Sequence, residues 1–304
     1  MKKKLLFKSF LNFFWLRPEN ALIFSLKAEK LSQYKKFFKG NSVDISCGNG
    51  IFTFITFGGE LSQKSDMYQS LDYKNKDIYD SFKKYNLIIK KYPKKKFLFG
   101  TDWKLNLLNK SKKLKFYNNL ILHDNNKRLP FQNDYFDFMY NSSSYWVKKF
   151  NFHIAEMIRV LKPGGKLLLT VKTKNIIKFN LRSIITKNFD DKFYKIIDGN
   201  RINSYKGLKN LEEYLNIIKK IKKAKIVRLE PIYCRKVNLI WDVGLRPIIK
   251  PLSILANSAK IKDRTKAKSI MISIFLKLFD SFIKNYKPQK KFAVEWLVEI
   301  NKVT

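Results

Sequence analysis

Val43-Asp44-Ile45-Ser46-Cys47-Gly48-Asn49-Gly50 reads as a short apolar strand that runs into a loop carrying two glycines one residue apart. An acid on the strand, a small residue, a cysteine and then Gly-x-Gly before an apolar helical run is how an α/β sheet brings bare backbone N–H groups against a ligand at its carboxyl edge. A Gly-x-Gly pair also makes ordinary tight turns, so the residues C-terminal to Gly50 decide between the two.

Four further strands come after it in a consistent order. Phe97 to Asp102 is a second strand ending in an acid, and Asn118 to Asp124 is a third. Tyr135 to Tyr140 reads as the fourth. His153 to Leu161 forms a helix that stops at Lys162-Pro163-Gly164-Gly165 and feeds a fifth strand, Lys166 to Val171.

The series resembles the class I S-adenosylmethionine-dependent methyltransferases, in particular the branch called the type 11 domain. The residues that carry the resemblance are Asp44 to Gly50, Gly100-Thr101-Asp102, Asp124 with Leu129-Pro130-Phe131, Phe136-Asp137, and Arg159 to Gly165. It covers roughly residues 41 to 172. It implies an α/β, Rossmann-like sheet of seven strands in the order 3-2-1-4-5-7-6, with helices on both faces and S-adenosyl-L-methionine as methyl donor.

Carried over residue by residue, the resemblance puts Asp44, Ser46, Cys47, Gly48, Asn49 and Gly50 around the methionine end of the donor. Ser46 stands where the family commonly has Gly or Ala. Asp102, followed by Trp103, would hold the ribose, whose two hydroxyls a carboxylate can accept. Asp124 would face the adenine amino group with Asn125 beside it. Either acid could instead cap the turn that comes after it. Asn141 opens the strand-four exit, Asn141 to Trp146, where donor meets acceptor. That stretch lacks the Asn/Asp-Pro-Pro-Tyr pattern of the adenine- and glutamine-amide methylating enzymes. Tyr145 and Trp146 are candidates for lining the acceptor side, where aromatic faces tolerate a sulfonium charge. No general base is assigned.

Composition adds bounds. A chain of 304 residues with 45% hydrophobic content can bury a full core. The 63 Lys+Arg against 24 Asp+Glu would ordinarily point to nucleic acid or an anionic membrane. Arginine stands at only nine positions, however, and bidentate recognition of phosphates and base edges favours arginine over lysine. Charge alone therefore supports an RNA methyltransferase weakly, and nucleic acid is not the expected partner. Two cysteines and two histidines give neither a disulfide framework nor a metal spacing, which fits a reducing, cytoplasmic compartment. The basic, apolar start at Met1 is interrupted by Lys8 and Asn12, so export is not expected.

The expected organisation is a helical segment over 1–40, a core over 41–231 and 292–304 with an insertion at 60–96, and a helical insertion over 232–291. Helices are expected over residues 19 to 39, Lys178 to Thr186 and Leu208 to Lys222, with strand six at Lys225 to Pro231 and strand seven at Phe292 to Ile300. Within 232–291 an apolar helix over Ile270 to Ile283 could cover the acceptor or rest on an anionic membrane surface. The function implied is methyl transfer to a small-molecule, glycan or lipid-linked acceptor. A donor-binding partner protein without catalysis is the non-enzymatic alternative.

Overall fold

The computed structural model describes residues 2–74, 81, 85–184 and 207–304. In chain order the strands are β1 (Ser42–Ile45), β2 (Glu60–Leu61), β3 (Ile89–Lys91), β4 (Phe97–Asp102), β5 (Tyr117–Leu122), β6 (Phe136–Asn141), β7 (Leu161–Lys172), β8 (Ala224–Cys234) and β9 (Ala293–Lys302). Seven form one sheet in the order β5-β4-β1-β6-β7-β9-β8, and β2 and β3 form a separate ribbon. Counted along the chain within the sheet, this is 3-2-1-4-5-7-6. The first five strands run parallel, and β9 lies antiparallel to both β7 and β8.

The central strands are covered on both faces, which is why they read as near-continuous apolar runs. All four residues of β1 are buried. One face packs an aromatic-rich core with α1 (Lys2–Phe13) and α2 (Pro18–Leu31), including Phe7, Phe10, Leu22, Phe54, Phe97 and Phe138. The opposite face packs α5 (Phe150–Val160) and the helix Leu211–Lys219 through Ile154, Met157, Tyr214 and Ile218. The N-terminal helices therefore share the core of the sheet.

Several boundaries differ from the sequence expectation. The helix expected over 19–39 ends at Leu31 and tightens into a 3-10 turn, Ser32–Phe37. β5 stops at Leu122, so Asp124 lies two residues past its tip. β7 starts at Leu161 and takes in Lys162 to Gly165, with a register irregularity between Phe136 and Phe138 on its neighbour. The helix expected over 178–186 is two short turns, Asn175–Lys178 and Leu181–Ile184, broken where the Asn180 side chain accepts from the Ser183 amide. Its last two residues lie outside the described residues, as does the Asp77 to Asp80 part of the 60–96 insertion.

The apolar helix expected over 270–283 is two helices, Ile261–Leu278 and Asp280–Asn285. The first starts earlier because its polar half is anchored. Arg264 pairs with Asp66 at 2.7 Å, and Lys268 Nζ donates to the carbonyls of Gln63 and Ser65. Among the described residues no helix is long and apolar enough to cross a membrane.

Candidate functional site

The loop leaving β1 turns sharply. Ser46, Gly48 and Gly50 all have positive φ, at 58°, 59° and 71°. Only glycine adopts this region without steric cost, so Ser46 carries strain that a glycine there would not. The loop is clamped on several sides. Cys47 N donates to Thr101 O at 2.8 Å, and Ser111 Oγ donates to Gly48 O at 2.7 Å. Gly50 caps α3 (Ile51–Thr56), and Asn49 Oδ1 accepts from Ile51 N.

Asp102, the last residue of β4, meets this loop directly. Its carboxylate accepts from Gly48 N and from Lys104 N, each at 3.0 Å. Burial raises its pKa, and the hydrogen bonds from the Lys104 and Gly48 amides work the other way. Beyond β5, Asp124 Oδ1 accepts from both the backbone and the side chain of Asn126 at 2.9 Å. The backbone bond, seconded by the side chain, holds Asp124 below the usual carboxylate range. Asn125 reaches back to the loop after β1, donating from Nδ2 to Ser46 Oγ at 2.7 Å.

These three strand tips enclose a cavity of about 750 Å³. Ser46, Gly48, Asp102, Trp103, Asp124 and Asn125 all line it. So do Lys104 and Leu107 at the start of α4 (Leu105–Lys112), together with Ser143, Trp146 and Lys148 from the β6 exit. Trp103 and Trp146 are 67% and 54% exposed, which leaves two large aromatic faces open at one cavity. Lys104, Leu107 and Lys148 had no sequence signal of their own.

The other candidate residues sit elsewhere. Asp44 lies beneath the loop, fully buried, and accepts from Thr53 Oγ1 and Tyr117 OH, each at 2.8 Å. Burial lifts its pKa to about 7, against the lowering by those two hydroxyls. Cys47, Asn49 and Gly50 build the turn without lining the cavity. Asn141 is buried and organises the β6 exit. Its Oδ1 accepts from Ser143 N and Ser144 Oγ, and its Nδ2 meets His153 Nε2 at 3.1 Å. Burial lowers the pKa of His153 to about 4, so it is neutral at pH 7.

Residues 85–169 match the methyltransferase domain family. The part matched to this methyltransferase domain contains β4, β5, β6 and most of β7, and so Asp102, Trp103, Asp124, Asn125 and Asn141. The glycine loop precedes it, but β1, the strand that leads into the loop, pairs in register with it: Val43, Asp44 and Ile45 face Phe99, Gly100 and Thr101.

No curated relative matches the sequence. Among solved structures, the chain is similar to a SAM-dependent methyltransferase, possible histamine N-methyltransferase, from Thermotoga maritima, at 11% identity over 92% of this chain and 91% of that one, with a TM-score of 0.47. A putative methyltransferase from Bacillus halodurans aligns at 15% identity over 91% and 99%, TM-score 0.45. A geranyl diphosphate methyltransferase in complex with SAM aligns at 13% identity over 91% and 84%, TM-score 0.47.

Proposed function

We propose that the chain is an S-adenosyl-L-methionine-dependent methyltransferase whose donor occupies the cavity at the tips of β1, β4 and β5. The observation that carries this reading is the convergence of the Gly48 amide, the Asp102 carboxylate and the Asp124-Asn125 turn on one hollow. Asn125 supports the fit. Its Oδ1 is buried and has no hydrogen-bond partner among the described residues, an orphan acceptor that an adenine amino group would satisfy. Asp102 would hold the ribose and Asp124 the adenine edge. Trp103 and Trp146 offer apolar walls that tolerate a positive charge.

The sulfonium supplies a methyl group already activated for displacement. The protein's task is then to hold the acceptor in line and exclude water. The proposed acceptor is a small molecule, a glycan or a lipid-linked intermediate. Isothermal titration with S-adenosylmethionine and labelled-methyl transfer to cell fractions test this together. Label in the lipid or polysaccharide fraction supports it, whereas RNase-sensitive label favours an RNA acceptor. Donor binding with no transfer to any fraction favours a non-catalytic partner.

The 232–291 insertion favours a second element, peripheral contact with an anionic bilayer. This stretch has fourteen Lys and Arg against three Asp. Its helices Ile249–Ser258 and Ile261–Leu278 leave Ile254, Leu255, Ile261, Ile270, Ile274 and Leu278 exposed. Exposed apolar side chains among lysines suit an interface of acyl chains and anionic headgroups.

A further inference from the structure

Lys172, the last residue of β7, stands opposite Glu295 on β9, and Glu295 stands opposite Tyr233 on β8. Directly opposed residues on a sheet project to the same face as neighbours. The row lies on the α2 side, at the carboxyl edge, and lines no part of the donor cavity.

Its hydrogen bonding is incomplete. Glu295 Oε1 is taken by Lys27 of α2 at 2.5 Å, with both groups buried. Glu295 Oε2 and the Tyr233 hydroxyl are buried without a hydrogen-bond partner among the described residues. Buried polar groups are rarely left so, because each forfeits its bonds to water.

Lys172 is the second cation of the row. Its ammonium lies 5.2 Å from the Tyr145 ring centroid and 5.3 Å from that of Trp241, and no salt bridge joins it to a carboxylate of the described residues. Burial works against its charge, but Tyr145, Tyr233 and Glu295 raise its pKa above the usual lysine value, so it is charged at neutral pH. Lys172, Tyr145 and Trp241 are each only half-buried as residues. The row thus holds two ammonium groups and one carboxylate, of which only Lys27 is paired with it. Asp44, two strands away, is already engaged by Thr53 and Tyr117.

The row also adjoins the donor cavity. Tyr145 packs on Trp146, one wall of that cavity, with ring centroids 5.7 Å apart. Trp241 is fixed from above by its Nε1 donating to Asn20 Oδ1 at 2.8 Å.

We infer that this row is the acceptor subsite, and that the acceptor brings an oxyanion, a carboxylate or phenolate, to Lys172 and the Tyr233 hydroxyl between the Tyr145 and Trp241 rings. The assignment rests on the donor occupying the neighbouring cavity. An oxyanion needs no base, in keeping with a β6 exit whose one histidine, His153, is buried against Asn141 and lines no part of the cavity. An electron pair on the acceptor oxygen forms the new C–O bond as the methyl carbon's bond to sulfur breaks, its pair passing to sulfur. The negative charge is discharged against the sulfonium, no proton moves, and Lys172 stays an ammonium throughout. Lys172 is a binding residue in this scheme.

Benzoate is a direct probe, titrated against the full chain without donor and followed by calorimetry, with benzyl alcohol and benzylamine as neutral and cationic controls. Saturable one-to-one binding of benzoate is expected, with both controls at least tenfold weaker. Lys172→Met should weaken benzoate at least tenfold and leave the Kd for S-adenosylmethionine within twofold, and Lys172→Arg should restore most of the benzoate affinity. Should Lys172→Met fail to fold, Trp241→Leu is expected to weaken benzoate at least threefold. Benzoate binding no tighter than benzyl alcohol, or unchanged in the folded variant, overturns the proposal. Failure of the parent protein to bind S-adenosylmethionine counts instead against the methyltransferase reading, since the benzoate titration contains no donor.

Discussion

Asn125 ties the turn after β5 to the loop after β1 by donating from Nδ2 to Ser46 Oγ at 2.7 Å. The bond holds a non-glycine residue at a φ of 58°, where a side chain costs about 1–2 kcal/mol. Ser46→Ala keeps that strain and loses the tie, and should destabilise the fold by about 1 kcal/mol. Ser46→Gly loses the tie but relieves the strain, so its denaturation midpoint should stay near that of the parent. By removing an oxygen from the cavity wall, Ser46→Gly should bind the donor at least as tightly. Urea denaturation and calorimetry on the two variants check both statements.

Asp44 makes stability depend on pH in a definite direction. Its pKa is about 7 in the folded protein against an ordinary 3.8. Between about pH 4 and pH 7 the folded chain therefore keeps a proton that the unfolded chain releases. The stability linked to this proton is full below about pH 4 and is lost as pH rises toward 7, by at most about 4 kcal/mol. Asp44→Asn cannot ionise. The stability of the parent minus that of Asp44→Asn should fall between pH 4.5 and pH 7.5 in paired urea titrations. A difference that stays level or rises would show that Asp44 is ionised in the fold.

Leu255 and Ile261, 69% and 80% exposed, bracket the turn between the two insertion helices. The protein should co-sediment with vesicles containing anionic phosphatidylglycerol and much less with pure phosphatidylcholine. Leu255→Asp with Ile261→Asp should lower the bound fraction at least fivefold without changing donor affinity. Equal binding to neutral vesicles, or no loss in the double variant, would argue against a membrane contact through this turn.

Much of the framework was legible because parallel strands buried on both faces are short apolar runs with punctuated ends. Phe97 to Asp102 coincides with β4, and the seven-strand order matches the expected pattern. Side-chain direction was less legible. Asp44 belongs to the motif run and Asn141 opens the strand-four exit, yet both turn inward, Asp44 onto Thr53 and Tyr117, Asn141 onto His153 and Ser144. A motif gives a residue's place along a strand tip, and packing decides whether its atoms face the cavity. The helix Ile261–Leu278 was half hidden for another reason. Arg264 and Lys268 are its buried anchors, and hydrophobic periodicity gives no weight to a buried cation. The Lys172, Glu295 and Tyr233 row could not be read from the chain at all, since strand register brings together residues that lie far apart in sequence.

The donor site is tested most directly by isothermal titration of S-adenosylmethionine into the parent protein and Asp102→Ala, with circular dichroism confirming that both are folded. Asp102 joins the strand-two tip to the Gly48 amide at the cavity wall. The expected result is one-to-one binding to the parent, weakened at least tenfold in Asp102→Ala. A folded parent that binds no S-adenosylmethionine, or a folded variant that binds it as tightly as the parent, would contradict the placement of the donor between these strand tips.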